Sequence, residues 1–425
     1  MTATTYARAV ATLDSVAWRG IMPGLERTRA LLAALGNPHT GLRGVLVAGT
    51  NGKGSVCATV DAVCRAAGYR SMLLTSPHLV SYCERIVRDG TALTESEFGS
   101  LVARVSKAAE ALPDELQPTG FEVLTAAGIL AAREADAEVL VCEVGLGGRL
   151  DSTNVLDLGV AAVTNVTLDH QDLLGETIPE IAREKAAIIK PGNRAVTAAT
   201  EPGLTAIKAR AAEVDATLTV VGADVGFTGH SEGLRGVAVD TVFDGRPIAV
   251  RAPLRGTFQV ANIATAVAIC DTLSATGIAI DAEAVVTGCE TVRWRGRMDW
   301  IEGEPPILID GAHNPAGMAA MVASARELIG GRRCVAVFAA MRNKDVESMV
   351  AGLSELTGEI VVTAPAVERA TPPADLSRLF DPPAEIAADV STALGRARRL
   401  AGREGVVVVC GSLYLAGEVI DLLRV

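Results

Sequence analysis

A doubly wound α/β architecture, mainly parallel in its large sheet and followed by a smaller α/β domain, is predicted by three features of the sequence. Short Val/Leu/Ile runs alternate with longer Ala-rich stretches, as strands buried on both faces do between covering helices. A glycine-rich turn joins the first such run to the first long helical stretch. The chain's 425 residues exceed what one hydrophobic core usually supports.

Strands are expected at 44–48, 71–75, 137–142, 160–164 and 195–198, with helices at 54–67, 95–111, 122–134 and 178–189. That order builds a mainly parallel sheet. Between 217 and 252 the texture changes. Gly and Asp punctuate short alternating segments, and Asp244-Gly245 is a good hairpin turn, so a small antiparallel β patch is expected there. Helices at 259–275 and 281–291 complete a first domain placed at residues 1–292. The segment RWRGRMDWIEGEPP (293–306) is rich in Arg, Gly and Pro and reads as a linker. Strands at 307–309, 334–338, 359–362 and 405–409 then alternate with helices at 315–329, 346–356, 391–401 and 413–423. They give a Rossmann-like α/β domain over 293–425.

Composition excludes several classes. With 49% hydrophobic and 21% charged residues the chain is globular, and a net charge of −11 argues against a general nucleic-acid binder. Its eight cysteines form no C-x-x-C pair, so buried reduced thiols are expected rather than a zinc site or disulfide framework. The opening MTATTYARAVATL lacks the basic region and apolar core of a signal peptide, and no apolar run is long enough to span a membrane. A soluble cytoplasmic enzyme is expected.

The strongest local signal is LVAGTNGKGSV (46–56), a strand, a glycine-rich turn and a helix start. Glycines let backbone N–H groups approach phosphate oxygens, and the helix N-terminus adds partial positive charge. Lys53 would reach the β- and γ-phosphates of ATP, with Ser55 one turn into the helix. The strict P-loop pattern is broken, because Val47 holds its first glycine slot and Gly54 stands where Ser or Thr should follow Lys53. A glycine-rich turn without a ligand is the competing reading. Glu143, His170 and Asp310 each sit at or just beyond a strand's carboxyl end, where open α/β sheets bind ligands. Read alone, Glu143 is a solvated acid, His170 a loop histidine and Arg297 a linker charge.

Together with GTNGKGS, a series of blocks resembles the folylpolyglutamate synthase/dihydrofolate synthase branch of the Mur ligase superfamily. These are GLERTRALLAALGNPH, TSPHL, EVGLGGRLDSTN, LDHQDLLGETIPEIAREKAAIIKPG, GRMDW, DGAHNP and GSLYLAGEV. The resemblance covers nearly the whole chain. It implies ATP contacts at Thr50, Asn51, Gly52, Lys53, Gly54, Ser55, Asn262, Arg297 and Asp310, and catalytic roles for Lys53, Lys185 and His313. It implies Mg²⁺ at Ser76, Glu143 and His170, with room for a second divalent or monovalent cation, and a carbamylated Lys185. The pterin acid is expected near Phe121, Glu122, Leu150, Asp151 and Ser152. Two positions depart from the family pattern: Ala187 replaces a glycine after EKA, and Asn343 replaces an acid before Lys344-Asp345.

The reaction the resemblance implies joins L-glutamate to a folate or dihydropteroate carboxylate through an acyl phosphate, in a monomer without nucleic-acid or membrane partners. A relative acting on a non-folate acid, a P-loop phosphotransferase and a non-catalytic ATP-binding module are the alternatives. A cell-wall ligase with a UDP-sugar domain before the loop is not expected, because too little chain precedes Lys53.

Overall fold

A computed structural model describes residues 4–16, 20 and 22–424; the first three residues of the opening segment lie outside it. Its large sheet contains β1 (Gly44–Ala48), β2 (Ser71–Leu74), β3 (Ile86–Arg88), β4 (Thr91–Ala92), β5 (Val139–Glu143), β6 (Gly159–Val163), β7 (Arg194–Thr197) and β8 (Thr217–Val220). The spatial order is β4-β3-β2-β5-β1-β6-β7-β8. From β2 to β8 in that order the pairings are parallel, and antiparallel pairing is confined to one edge, where β3 pairs with β2 and β4 with β3.

Period-2 alternation places each strand in two cores at once. Leu46 and Ala48 of β1 point to one face with Leu140, Cys142, Ala161 and Val163. Val45 and Val47 point to the other with Val139, Val141, Val160 and Ala162. The first face is covered by helices that include Gly120–Glu134 and Ile178–Ala186. Helices Lys53–Ala66, Gln259–Ser274 and Ala282–Thr291 cover the second.

The antiparallel patch consists of β9 (Thr228–Ser231), β10 (Val237–Phe243) and β11 (Arg246–Ala252), with Asp244 and Gly245 both at positive φ in the turn. It begins later than the sequence texture indicates. Residues 217–220 belong instead to the large sheet, because Thr217 to Val220 pair in parallel with β7. The second sheet holds β12 (Asp299–Ile301), β13 (Ile307–Ile309), β14 (Cys334–Phe338), β15 (Ile360–Val362), β16 (Glu385–Ile386) and β17 (Val406–Cys410), in the order β12-β13-β17-β14-β15-β16. Only β12 runs antiparallel there. Thus part of the expected linker is an edge strand, held because Trp300 is buried against the core of this sheet. Helices Thr5–Ser15 and Glu26–Ala34 are further elements that the sequence reading did not place.

Candidate active site

The carboxyl ends of both sheets face one cavity of about 850 Å³. From the large sheet it receives the turn after β1, Ser76 after β2, Glu143 at the end of β5 and His170 after β6. From the smaller sheet come Asp310 and His313 after β13, Lys344 after β14 and Tyr414 after β17. Each of the nineteen side chains or loop positions that the sequence singles out lies on this cavity's wall.

The turn after β1 is held from beneath by the segment after β6. Thr50 N–H donates to the Asn165 carbonyl (2.9 Å), Asn51 N–H to Asn165 Oδ1 (2.9 Å), and Thr164 Oγ1 to the Asn51 carbonyl (2.6 Å). Those two N–H groups are therefore spent on the scaffold. The donors left for an anion are at the start of helix Lys53–Ala66, whose N-cap Gly52 offers no side-chain cap. Gly52 has φ +83°, and a Cβ there would lie 2.3 Å from Asn262 Oδ1. Lys53 Nζ rests on the carbonyls of Gly49 (3.1 Å) and Thr50 (3.2 Å). Buried Gln259 joins two candidate ATP contacts, donating to Ser55 Oγ (3.2 Å) and accepting from Asn262 Nδ2 (2.8 Å).

Gly54 departs from the strict pattern for a steric reason: a Cβ there would come 2.7 Å from Trp294 Cζ2. Gly54→Ser, although it restores the usual residue after the lysine, should displace Trp294. We expect a loss of about 1–3 kcal/mol of stability and at least a tenfold weaker affinity for an ATP analogue. Thermal melts and calorimetric titration check both.

Glu143 is buried and accepts the Ser76 N–H at Oε2 (3.0 Å). Burial pushes its carboxyl up, against the pull of Lys53, the Ser76 N–H, Arg297 and Arg85. His170 adopts a left-handed backbone (φ 51°), and its Nε2 accepts from Lys344 Nζ at 3.1 Å. Among the described residues no three His, Cys, Asp or Glu side chains form a ready cage for a metal. Ser76 and Glu143 are brought together, whereas His170 is turned to Lys344. A hydroxyl, a carboxylate and an imidazole nevertheless fit a hard divalent cation completed by phosphate oxygens. The Lys344 ammonium occupies the His170 Nε2 lone pair in this structure, so it would have to give way for that imidazole to hold the cation.

Lys185 is buried and donates to the same Gly49 carbonyl that Lys53 uses (3.0 Å). Burial, and then the Lys53 charge, lower its ammonium to about 7. Ala187 is the C-cap of this helix at φ −64°, a conformation that asks for no glycine, which explains the departure there.

In the second lobe, Asp310 accepts from Met298 N–H (2.9 Å) and Ala312 N–H (2.7 Å), tying the Arg297 segment to the β13 loop. His313 Nδ1 must donate to the Gly311 carbonyl (2.9 Å), which leaves Nε2 as an acceptor facing the cavity. Burial, helped by Lys344, lowers this imidazole to about 4. Asn343 also lines the cavity; nothing in the structure explains why it stands in place of an acid.

At the far end of the cavity Phe121 lies over Gly145, where a Cβ would meet its Cζ at 2.4 Å. The two acids expected to touch substrate are already engaged. Glu122 takes Arg27 Nε at both oxygens (3.1 Å each) and closes a capping box with Thr119. Asp151 accepts from Leu146 N–H, Thr153 N–H and Thr153 Oγ1. Ser152 shares a hydrogen bond with Thr125 (2.7 Å), and the Leu150 carbonyl accepts from Gly24 N–H (3.4 Å).

The chain resembles known proteins over both lobes. Residues 47–270 match the Mur ligase middle domain, and residues 296–413 match the Mur ligase glutamate ligase domain. The chain belongs to the Mur ligase family. Within it, the dihydrofolate synthase/folylpolyglutamate synthase of Bacillus subtilis is 32% identical over 95% of this chain and 96% of its own length. A probable bifunctional folylpolyglutamate synthase/dihydropteroate synthase of Halobacterium salinarum is 35% identical over 94% of this chain. That match covers 49% of the archaeal protein, so this chain spans about half the length of such relatives. The crystal structure of the bifunctional folylpolyglutamate synthase/dihydrofolate synthase of Yersinia pestis, complexed with AMPPNP and Mn, superposes with a TM-score of 0.87 at 30% identity, over all of both chains.

This Mur ligase cleft also contains residues that the motifs did not single out for the site. Gln259 and Asn165 brace the phosphate loop, and Asp169, Asn314 and Lys344 join the lobes. Burial pushes the Asp169 carboxyl up, but the Lys344 ammonium outweighs it and holds the group at about 2. Their motifs, LDHQ, AHNP and RNKD, were in view; what was missing was their proximity across the cleft.

Proposed function

We propose that the chain is an ATP-dependent ligase that joins L-glutamate to a folate-type carboxylic acid, dihydropteroate or a folate. The observation that carries this reading is an uncapped helix N-terminus, with Lys53 beside it, opening into a cavity walled by a second, glutamate-ligase-type lobe. The free N–H groups and Lys53 hold the β- and γ-phosphates; Asn262 lies beside the loop at Gly52, and Asp310 acts through the Arg297 segment that it ties to the cavity wall. The substrate carboxylate attacks the γ-phosphorus, the bond to the β-phosphate oxygen breaks, and ADP leaves an acyl phosphate. The amine of glutamate then attacks the acyl carbon, the C–O bond to phosphate breaks, and a proton leaves the new amide nitrogen.

Lys53 and Arg297 balance the charge that develops on the transferred phosphoryl group. His313 Nε2, neutral and facing the cavity, orients the incoming amine. Ser76, Glu143 and His170 would hold a divalent cation, which when bound neutralises triphosphate charge. Phe121, Leu150 and Ser152 wall the flat ring of the acid; Glu122 and Asp151 shape that wall through Arg27 and Thr153 rather than by direct contact. The two lobes, divided near residues 292/293, exclude water that would hydrolyse the acyl phosphate. We expect a cytoplasmic monomer; among the described residues no helix is long and apolar enough to cross a membrane.

The test is product mass spectrometry with ATP, Mg²⁺, glutamate and either dihydropteroate or tetrahydrofolate. The expected product gains one glutamyl residue with one ADP released. ADP release without glutamate incorporation would point to a phosphotransferase, and no reaction with either acid would reject the folate assignment.

A further inference from the structure

Two lobes that exclude water from an acyl phosphate must also be held in register, and one carboxylate occupies the place where both could be held. Asp169 lies after β6 in the first lobe, on the segment that braces the phosphate loop, two residues beyond the hydrogen bonds between Thr167 and Thr50. Its Oδ1 takes Lys344 Nζ at 2.6 Å, and its Oδ2 takes Asn314 Nδ2 at 3.0 Å; both partners belong to the second lobe. Asn314 in turn makes a reciprocal amide pair with Asn51 of the phosphate loop (3.0 and 3.3 Å) and caps helix Pro315–Ile329 through Gly317 N–H (2.8 Å). The Lys344 and Asp169 side chains are 7% and 9% exposed, so this is a buried ion pair between lobes.

We propose that Asp169 is a positioning residue for the ligase reaction: through Lys344 and Asn314 it sets the second lobe over the phosphate loop. A buried ion pair is poor value as plain stabilisation, since apolar residues of similar volume usually serve as well. What it supplies is direction, because only one seating of the lobes satisfies the carboxylate, the ammonium and the two amides together. The same contact aims the Lys344 ammonium at His170 Nε2 on the cavity wall.

The proposal rests on the ligase reading for its kinetic arm alone. The full chain and its D169N, K344M and D169N/K344M variants are compared by small-angle X-ray scattering, with and without an ATP analogue and Mg²⁺, and by steady-state kinetics. In D169N we expect a larger radius of gyration and a kcat at least tenfold lower, with the KM for ATP changed less than threefold because the first lobe still holds the nucleotide. The double variant should be no slower than the worse single one. It leaves no unpaired charge buried, so it carries the test alone should D169N fail to fold. Unchanged scattering and kcat in D169N, or losses that multiply in the double variant, would overturn the proposal. If the parent chain turns over no folate-type acid, the ligase reading fails, while the scattering comparison still decides whether Asp169 seats the lobes.

Discussion

Lys53→Ala is expected to lower turnover by about a hundred- to a thousandfold, the range found when a preorganised donor is removed from a developing anion. The fold should survive. Among the described residues Lys53 forms no ion pair; its ammonium rests on two carbonyls of its own loop, Gly49 and Thr50, and the loop is braced independently by Thr164 and Asn165. The ammonium is therefore ready to leave those carbonyls for phosphate oxygens; its removal takes a favourable charge from buried Glu143 and an unfavourable one from buried Lys185, two changes that oppose each other. Circular dichroism and thermal melting should match the parent within about 1 kcal/mol, while calorimetry with an ATP analogue shows weakened binding. Lys53→Arg should not rescue, because a planar guanidinium cannot occupy the compact position between the loop and the buried Glu143. Turnover within tenfold of the parent in Lys53→Ala would mean that the triphosphate is held elsewhere.

The phosphate loop was legible because its parts are contiguous: strand, glycines, lysine and helix follow within eleven residues (46–56). The large sheet was legible for a similar reason, since strands buried on both faces appear as unbroken apolar runs. Residues 217–220 were assigned to the wrong sheet because a lone strand's period does not name its partner; β7 does. Residues 299–301 were hidden among Gly, Pro and Arg, and only burial of Trp300 makes them a strand. At the site, residue identities were easier to read than roles. Glu122 and Asp151 stand on the pocket wall, but local N–H groups and Arg27 have already claimed their oxygens. The Thr119-x-x-Glu122 spacing was itself a capping-box signal. Least legible was the union of Asp169 with Asn314 and Lys344, 145 and 175 residues apart, which exists only once the lobes are docked.

Lys185 should yield the other large effect. Lys185→Met is expected to cost at least about a hundredfold in turnover while leaving nucleotide binding nearly intact. Burial and the neighbouring Lys53 charge bring its ammonium down to about 7, so an appreciable fraction is a free amine near neutral pH. A neutral amine can add to CO₂, forming an N–C bond and releasing one proton, to give an anionic carbamate. The Lys53 and Lys344 charges that disfavour the ammonium would favour that anion. Parent activity should therefore fall in CO₂-depleted buffer, return with bicarbonate, and decline as pH drops through about 7. Stability follows from the same shift. Between about 7 and the ordinary lysine value of 10.5, the unfolded chain holds a proton that the folded chain lacks. Stability from this group thus rises with pH across that window and is lost as pH falls through its lower edge. Lys185→Met should flatten the dependence, as measured by urea unfolding on either side of neutrality. An activity indifferent to CO₂, together with an unchanged pH slope in Lys185→Met, would leave Lys185 as a charged strut beneath the phosphate loop and remove the carbamate from the mechanism.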